Sequence, residues 1–361
     1  MDSAENEYQT LRAVDPGAGV EGARALPQPG DLGVPPFVRR QRGVAEGEAR
    51  DYREAEREQA DDWGPPLPEL DARTLLLAIV GLAVALAVAI KVSGLALGPD
   101  RFLLVLLVPA LILRRGRVYL RDFFPFAVML VVYAQCRGMA HLLNRHPFYW
   151  PQIHADQLLF FGHVPSVDLQ SWLWTGTKHW YDSIIFAVMR THFIVPPLFA
   201  FALWLRRRAL FYRFAATMIT LSMAGAFTFL LFPAAPPWAA ANRAMLQAGR
   251  LPIPGGNIGS HTVGIGHYSI SRLITGNPYA AIPSLHAGYA FLVFLFAVTI
   301  LWKTRWRWFA LVLGSLYPLA QSFAVVYTGN HYVVDVLLGY VYAAVALFGV
   351  RAFWRGRGWP E

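Results

Sequence analysis

A single cysteine, Cys136, occurs in the 361 residues, so the chain can form no internal disulfide and no cysteine-built metal site. Acids are scarce beyond the N-terminal stretch. Residues 1–72 carry 16 acids and 8 basic residues, whereas residues 73–361 carry 24 basic residues and only seven acids. This positive surplus does not point to nucleic acid as a partner. The arginines and lysines form no stripe; they cluster between long apolar runs, as in the loops of a membrane protein. No apolar run lies near Met1 to form the core of a signal peptide, and none is expected. No internal repeat is discernible.

What is present divides at about residue 72. Residues 1–72 are rich in Glu, Asp, Arg, Pro, Gly and Ala and poor in large apolar side chains. Such a segment buries too little surface to fold alone, which predicts a disordered acidic tail. Its run "EGEARDYREAEREQADD" is the candidate for a solvated charged helix. Residues 73–361 are expected to form the transmembrane domain. A hydrocarbon core about 30 Å thick takes about 20 apolar residues per helix. The candidate spans are 74–97, 101–113, 122–143, 181–205, 210–233, 283–302, 307–328 and 331–353. The second is short enough to be re-entrant. The expected fold is therefore all-α, a polytopic transmembrane helix bundle of about six to eight spans. Residues 153–175 hold too much Gly, Pro, Asp and His to span, and read as an amphipathic or re-entrant stretch at the interface. Trp150, Trp172, Trp174, Trp180 and Trp238 flank spans, where interfacial anchoring accounts for them.

Orientation follows from the arginines. "LRRGRVYLR" (113–121), "LRRRALFYR" (205–213), "KTRWR" (303–307) and "RAFWRGR" (351–357) fall on one face if the spans alternate. That face is expected to be cytoplasmic, with the N-terminal tail. All ten histidines fall on, or in the outer half facing, the other side. Any chemistry they perform is expected at the extracytoplasmic surface of the membrane.

Two stretches carry that chemistry. In "YTGNHYVVDVLLGY" (327–340), His331 and Asp335 are four residues apart and share a helical face. A carboxylate on one imidazole nitrogen fixes the tautomer and leaves the other nitrogen free as nucleophile or base. Asp335 is also the acid placed well inside an apolar run, where a carboxylate without a partner is expensive. In "AIPSLHAGY" (281–289), Pro283 and Ser284 suit a helix start. The first turn there offers backbone N–H groups to an anion, Ser284 a hydroxyl and His286 a proton. Together the stretches describe a phosphoryl-transfer site, in which one histidine attacks phosphorus and the other protonates the departing oxygen. Each alone also fits a structural role, a His–Asp pair holding two helices or a capped helix with a solvated histidine.

Pro-Ser-x-His opening one span and His-x3-Asp opening the span after next resemble the second and third motifs of the type 2 phosphatidic acid phosphatase superfamily. The resemblance covers about 181–353, the expected catalytic core. It implies His331 as the phosphohistidine-forming nucleophile, Asp335 as its orienting partner, His286 as general acid and Ser284 as a phosphate contact. It implies no metal and no cofactor. Two features depart from the family pattern. Ala324 and Val325 stand where a Ser-Arg pair is usual, and "FPAAPPW" (232–238) replaces the usual first motif. That replacement, with "ADQLLFFGHVPSVDLQ" (155–170) and "THFIVP" (191–196), is similar to the branch holding fungal inositol phosphorylceramide synthases. Members of that branch move a phospho-headgroup from a lipid to an acceptor alcohol or release it to water. The implied partners are a membrane lipid and an acceptor such as inositol, ceramide or diacylglycerol.

The missing arginine leaves the phosphate grip unassigned, and a phosphate needs positive charge or many N–H donors. Arg137, Arg190 and Arg243 are the candidates, with Arg250 and Arg272 also in outer loops; Lys91 is read as snorkelling. His192 reads as structural or as supporting the site, and Asp156 as pinning its loop. The glycines of "IPGGNIGSHTVGIGHYS" (253–269) suit a mobile loop over the site. A simple phosphatase, a transporter built around an intramembrane Asp and a zinc protein using His-x3-Asp remain open readings of the residues.

Overall fold

The computed structural model describes residues 71–93, 99–144, 146–177, 179–243, 246, 277 and 279–357. The expected tail up to residue 70, the glycine loop 253–269, Arg250, Arg272, His261 and His267 lie outside the described residues.

Each expected apolar run is helical over most of its described residues. The helices are α1 (Ala72–Ser93), α2 (Pro99–Ile112), α3 (Gly116–Leu143), α4 (Trp150–Leu159), α5 (Pro165–Leu173), α6 (Trp180–Arg190), α7 (Val195–Arg206), α8 (Arg208–Leu231), α9 (Pro237–Ala241), α10 (Leu285–Leu301), α11 (Arg307–Tyr327) and α12 (Val333–Gly356). Five of them, α1, α3, α8, α11 and α12, are long and apolar enough to cross a membrane, and the bent pair α6–α7 makes a sixth. The apolar helices α2 and α10 are shorter. The stretch 153–175, expected at the interface, forms the two short helices α4 and α5.

The expected span 181–205 is not one straight helix. It bends by 45° at a turn of 3-10 helix, Thr191–Phe193. Pro196 and Pro197 follow that turn and have no N–H to give to the carbonyls of His192 and Phe193, so the helix breaks there.

Helices α8, α10 and α12 form the centre, with α3 and α7 against α8. The sequence of α10 is apolar on all sides because it is enclosed by α8, α11 and α12. Small residues set its distance from α12. A Cβ on Gly339 would overlap the carbonyl oxygen of Ser284, and one on Gly288 would lie 3.1 Å from the carbonyl oxygen of Gly339. The two N-termini are thereby held side by side, and the Ser284 N–H donates to the Asp335 carbonyl at 2.9 Å. Leu76, Val80, Val84 and Val88 of α1 and Val341, Val345 and Phe348 of α12 are exposed apolar residues, as a lipid-facing surface requires.

Another buried acid stands at the edge of an apolar run. Asp122, 3% exposed, accepts from Arg208 at 2.8 Å on both carboxylate oxygens, from Trp204 Nε1 at 2.8 Å and from the Tyr212 hydroxyl at 2.7 Å. This joins α3 to α7 and α8 at the arginine-rich end of the bundle. Asp122 is the first residue of the expected span 122–143, and its partner Arg208 is 86 residues away in sequence.

Candidate active site

His331 stands between α11 and α12, at the end opposite the arginine clusters. The chain reaches it through Gly329, whose φ of 68° suits a residue without a Cβ. Three N–H groups at the start of α12 are bonded to buried carboxylates. The Tyr332 N–H donates to Asp335 at 2.9 Å, and the Val333 and Val334 N–H groups donate to Asp156 at 3.1 and 2.9 Å. Asp156 thus pins α4 onto the helix that follows the histidine, as its loop-pinning reading implied. Burial pushes the Asp156 carboxyl up to about 6, against the two backbone donors, and the nearby Asp335 charge adds to the rise.

The His331 ring is nearly enclosed, at 3% exposure. Its Nδ1 lies 2.9 Å from the carbonyl oxygen of Ala281, so Nδ1 carries the proton and Nε2 the free lone pair. Asp335 is 3.6 Å from the same nitrogen, within ion-pair range but beyond a direct hydrogen bond. The expected His331–Asp335 hydrogen bond is therefore replaced by one to a backbone carbonyl. Asp335 spends one oxygen on the Tyr332 N–H, and its other has no hydrogen-bond partner among the described residues.

The motif "FPAAPPW" explains why Ala281 is in place. Ala234 bridges in parallel to both Phe148 and Ala280. Its N–H donates to Tyr279 at 2.9 Å, and its carbonyl accepts from Ala281 at 3.3 Å. Four residues on, the Trp238 N–H donates to Gly329 at 3.1 Å. One motif therefore ties down the segment before α10 and the turn before His331. Sequence reasoning placed it near the site but not in this role.

His286 occupies the first turn of α10. Its Nδ1 lies 3.0 Å from His331 Nε2, and with the His331 tautomer set by Ala281, His286 is the donor. His192, at the break between α6 and α7, packs its ring against His286 with centroids 4.0 Å apart. The His192 Nδ1 lies 2.7 Å from the Met189 carbonyl, which also accepts from Gln321 at 2.8 Å. Three histidines from three segments therefore meet, where the motifs placed only two together. The signal for the third was the Pro-Pro break beside it.

Ser284 is the N-cap of α10, fully buried, and its hydroxyl accepts from the Ala287 N–H at 3.4 Å. Its oxygen caps the helix. Of the arginine candidates, Arg137 lines a cavity of about 190 Å³ together with His192, His286 and His331. Arg190 lies over the Phe186 ring at 4.9 Å, and its Nε has no hydrogen-bond partner among the described residues. Arg243 lies over the Tyr149 ring at 5.0 Å. Tyr133, Tyr289, Leu130, Met218 and Phe102 also line the cavity. The arrangement sets an imidazole with a free Nε2 lone pair, an imidazole N–H that donates to it and a guanidinium on the wall of one cavity. Among the described residues, no three His, Cys, Asp or Glu side chains converge to hold a metal ion.

Comparison with known proteins shows the family of the chain. A family model described as "PAP2 superfamily" matches residues 153–349, which include all three histidines, Asp156 and Asp335. A curated relative from Bacteroides thetaiotaomicron, named phosphoinositol dihydroceramide synthase, is 31% identical over 155 residues. That alignment covers 40% of this chain and 47% of the relative. No solved structure matches.

Proposed function

We propose that this chain, which belongs to the PAP2 superfamily, is an integral membrane enzyme of phosphoric-ester chemistry that moves the phospho-headgroup of a lipid through a histidine-bound intermediate. The single observation that carries the reading is the pair of imidazoles, His331 Nε2 and His286 Nδ1, 3.0 Å apart on the wall of a cavity that continues into apolar surroundings.

His331 Nε2 attacks phosphorus, the bond from phosphorus to the lipid oxygen breaks, and protonated His286 gives that oxygen its proton. The resulting phosphohistidine still carries the headgroup as an ester; an acceptor hydroxyl attacks its phosphorus, the P–N bond to His331 breaks, and neutral His286 takes the hydroxyl proton. A 3.0 Å gap cannot hold a phosphate, so substrate entry parts the two rings. Asp335 and the Ala281 carbonyl stabilise the charge that His331 gains during attack. Arg137 supplies the positive charge facing the phosphate; Ala324 and Val325, where the family pattern has its Ser-Arg pair, are buried and do not.

The relative's name supports an inositol-phosphate headgroup and a ceramide-type acceptor. Water in place of the acceptor would make the same intermediate that of a phosphatase. The arginine clusters at the helix ends opposite the histidines support an extracytoplasmic site.

The test uses detergent-purified protein in EDTA beside His331→Ala and His286→Ala. Phosphatidylinositol is supplied with and without dihydroceramide, and both free headgroup phosphate and new lipid are followed. A new phosphoinositol lipid that requires both histidines supports the transferase. Free headgroup phosphate alone means a phosphatase, and intact substrates across a panel of phospholipids and lipid phosphates contradict the reading.

A further inference from the structure

The arginine-rich end of the bundle carries a cavity that the chemistry at the histidines does not use. It is smaller than the first and lies between α8, α10 and α12, lined by Arg213 of α8 and by Arg351 and Arg355 of α12. Among the described residues, no acid lines it. Arg351 and Arg355 are four residues apart on one helical face, where like charges oppose each other. The dipole of α12 favours both at its C-terminus, but Arg213 stands in the second turn of α8 and gains nothing from a dipole. Three guanidinium groups on one cavity suit the oxygens of a phosphate.

The cavity continues into a groove. Val350 and Trp354 line both, and the groove runs on between α8 and α12 as far as Ala224 and Val341. Its volume is about 630 Å³, against the roughly 150 Å³ that holds a benzene ring. Among the described residues, none that lines it is charged, and its hydroxyls are bonded within the chain. Thr220 donates to the Ala216 carbonyl at 2.9 Å, and the Tyr342 hydroxyl is 2.8 Å from that of Thr228. From Val341 to Phe353 the groove follows about 18 Å of helix. One leaflet of a hydrocarbon core about 30 Å thick is of similar depth, at about 15 Å. The groove thus has the length of one acyl chain, whereas a helix of a second copy would cross the full thickness. Gly349 lines it, and a Cβ there would meet nothing within 4 Å. Packing inside the chain does not ask for glycine at this position, although glycine weakens a helix interior.

We propose that this groove binds an anionic phospholipid of the leaflet away from the histidines, its phosphate held by Arg213, Arg351 and Arg355 and one acyl chain laid between α8 and α12. Charge selects the class. A zwitterionic lipid would bring its own cation among the three arginines, and an anionic one brings none. Arg351 lies about 27 Å along α12 from the end that follows His331, so this lipid is distinct from a substrate at the histidines. Helices α8 and α12 both pack on α10, which carries His286. A lipid across their seam therefore stabilises the folded bundle by binding it and not the unfolded chain.

The experiment titrates delipidated full-length protein in detergent with dioleoyl phosphatidylglycerol or dioleoyl phosphatidylcholine. The thermal unfolding midpoint reads binding, and native mass spectrometry reads retained lipid and oligomeric mass. Wild type should reach half of its stabilisation at a phosphatidylglycerol content about tenfold or more below that for phosphatidylcholine. Arg351→Gln combined with Arg355→Gln should cut that preference to less than about threefold. Gly349→Leu, which fills the groove, should weaken both lipids by about tenfold or more while the lipid-free midpoint stays in place. General damage to the fold would lower the midpoint in either lipid and keep the preference. A wild-type preference within threefold, or one that survives the arginine changes, overturns the proposal. Phosphatidylglycerol binding that Gly349→Leu leaves unchanged overturns it too. A dimer that Gly349→Leu dissociates would give the groove to a second copy of the chain, and would overturn it as well.

Discussion

His331 Nδ1 lies 2.9 Å from the backbone carbonyl oxygen of Ala281 and 3.6 Å from the nearer oxygen of Asp335. The tautomer of the proposed nucleophile is therefore set by the backbone, and the carboxylate acts on it mainly as a charge. Asp335→Asn keeps an acceptor for the Tyr332 N–H and removes the charge. We expect it to lower kcat by about 10–100-fold, well short of the roughly 10⁴-fold seen when a carboxylate alone fixes a histidine tautomer. Asp335→Ala, which also strands the Tyr332 N–H, should lose more. Steady-state kinetics of the two variants check this, and equal losses near 10⁴-fold would assign the tautomer to Asp335.

Asp156 ties α4 to the start of α12 through two backbone donors. Burial holds its carboxyl at about 6, above the ordinary carboxylate value of about 3.9. Between those values the folded protein binds more protons than the unfolded chain, so stability falls as pH rises through that window and is level above it. The expected size is about 1–3 kcal/mol. Thermal unfolding in detergent from pH 4 to 7 should show this fall in wild type and lose it in Asp156→Asn. A wild-type midpoint that rises with pH while that of Asp156→Asn does not would contradict the burial argument.

Gly339 allows α12 to approach the Ser284 carbonyl, and that approach sets the distance between His286 and His331. Gly339→Ala forces backbone against side chain in a packed helix pair, at a cost of about 1–3 kcal/mol. Activity should drop by more than tenfold, because misplacement by about 1 Å is expensive at a reacting centre. Thermal unfolding and turnover of the same preparation test both parts.

Asp122 and Arg208 form a buried, fully bonded pair at the arginine-rich end, away from the histidines. Removing one partner leaves the other charged and enclosed, which costs about 3–5 kcal/mol. Asp122→Ala should therefore lower the unfolding midpoint far more than it lowers kcat per folded molecule. A loss of turnover without a loss of stability would place the pair in the chemistry.

The helices were legible in the sequence because length and apolarity decide them: each expected apolar run is helical over most of its described residues, and the stretch too polar to span became α4 and α5. The motif histidines were legible because Pro-Ser-x-His and His-x3-Asp each sit at a helix start. What was not legible depends on partners distant in sequence. The Ala281 carbonyl reaches His331 across 50 residues, and Gln170 reaches the Tyr327 carbonyl across 157. The task of "FPAAPPW" appears only once its backbone bonds to three segments are seen. Ser284 has a phosphate contact as its role by the family resemblance, and only the structure shows that the same hydroxyl also caps its helix. The break at Thr191–Phe193 was written in Pro196 and Pro197, yet the apolarity around it favoured one continuous span.

The central claim is that His331 Nε2 becomes bonded to phosphorus during turnover. The most direct measurement is rapid quenching of the enzyme with phosphatidylinositol labelled at phosphorus, followed by peptide mapping under alkaline conditions that preserve phosphohistidine. The account predicts stoichiometric label on the peptide carrying His331, no label in His331→Ala, and loss of label when dihydroceramide is added. Turnover without any protein-bound label, or label on His286 or His192 instead, would contradict it.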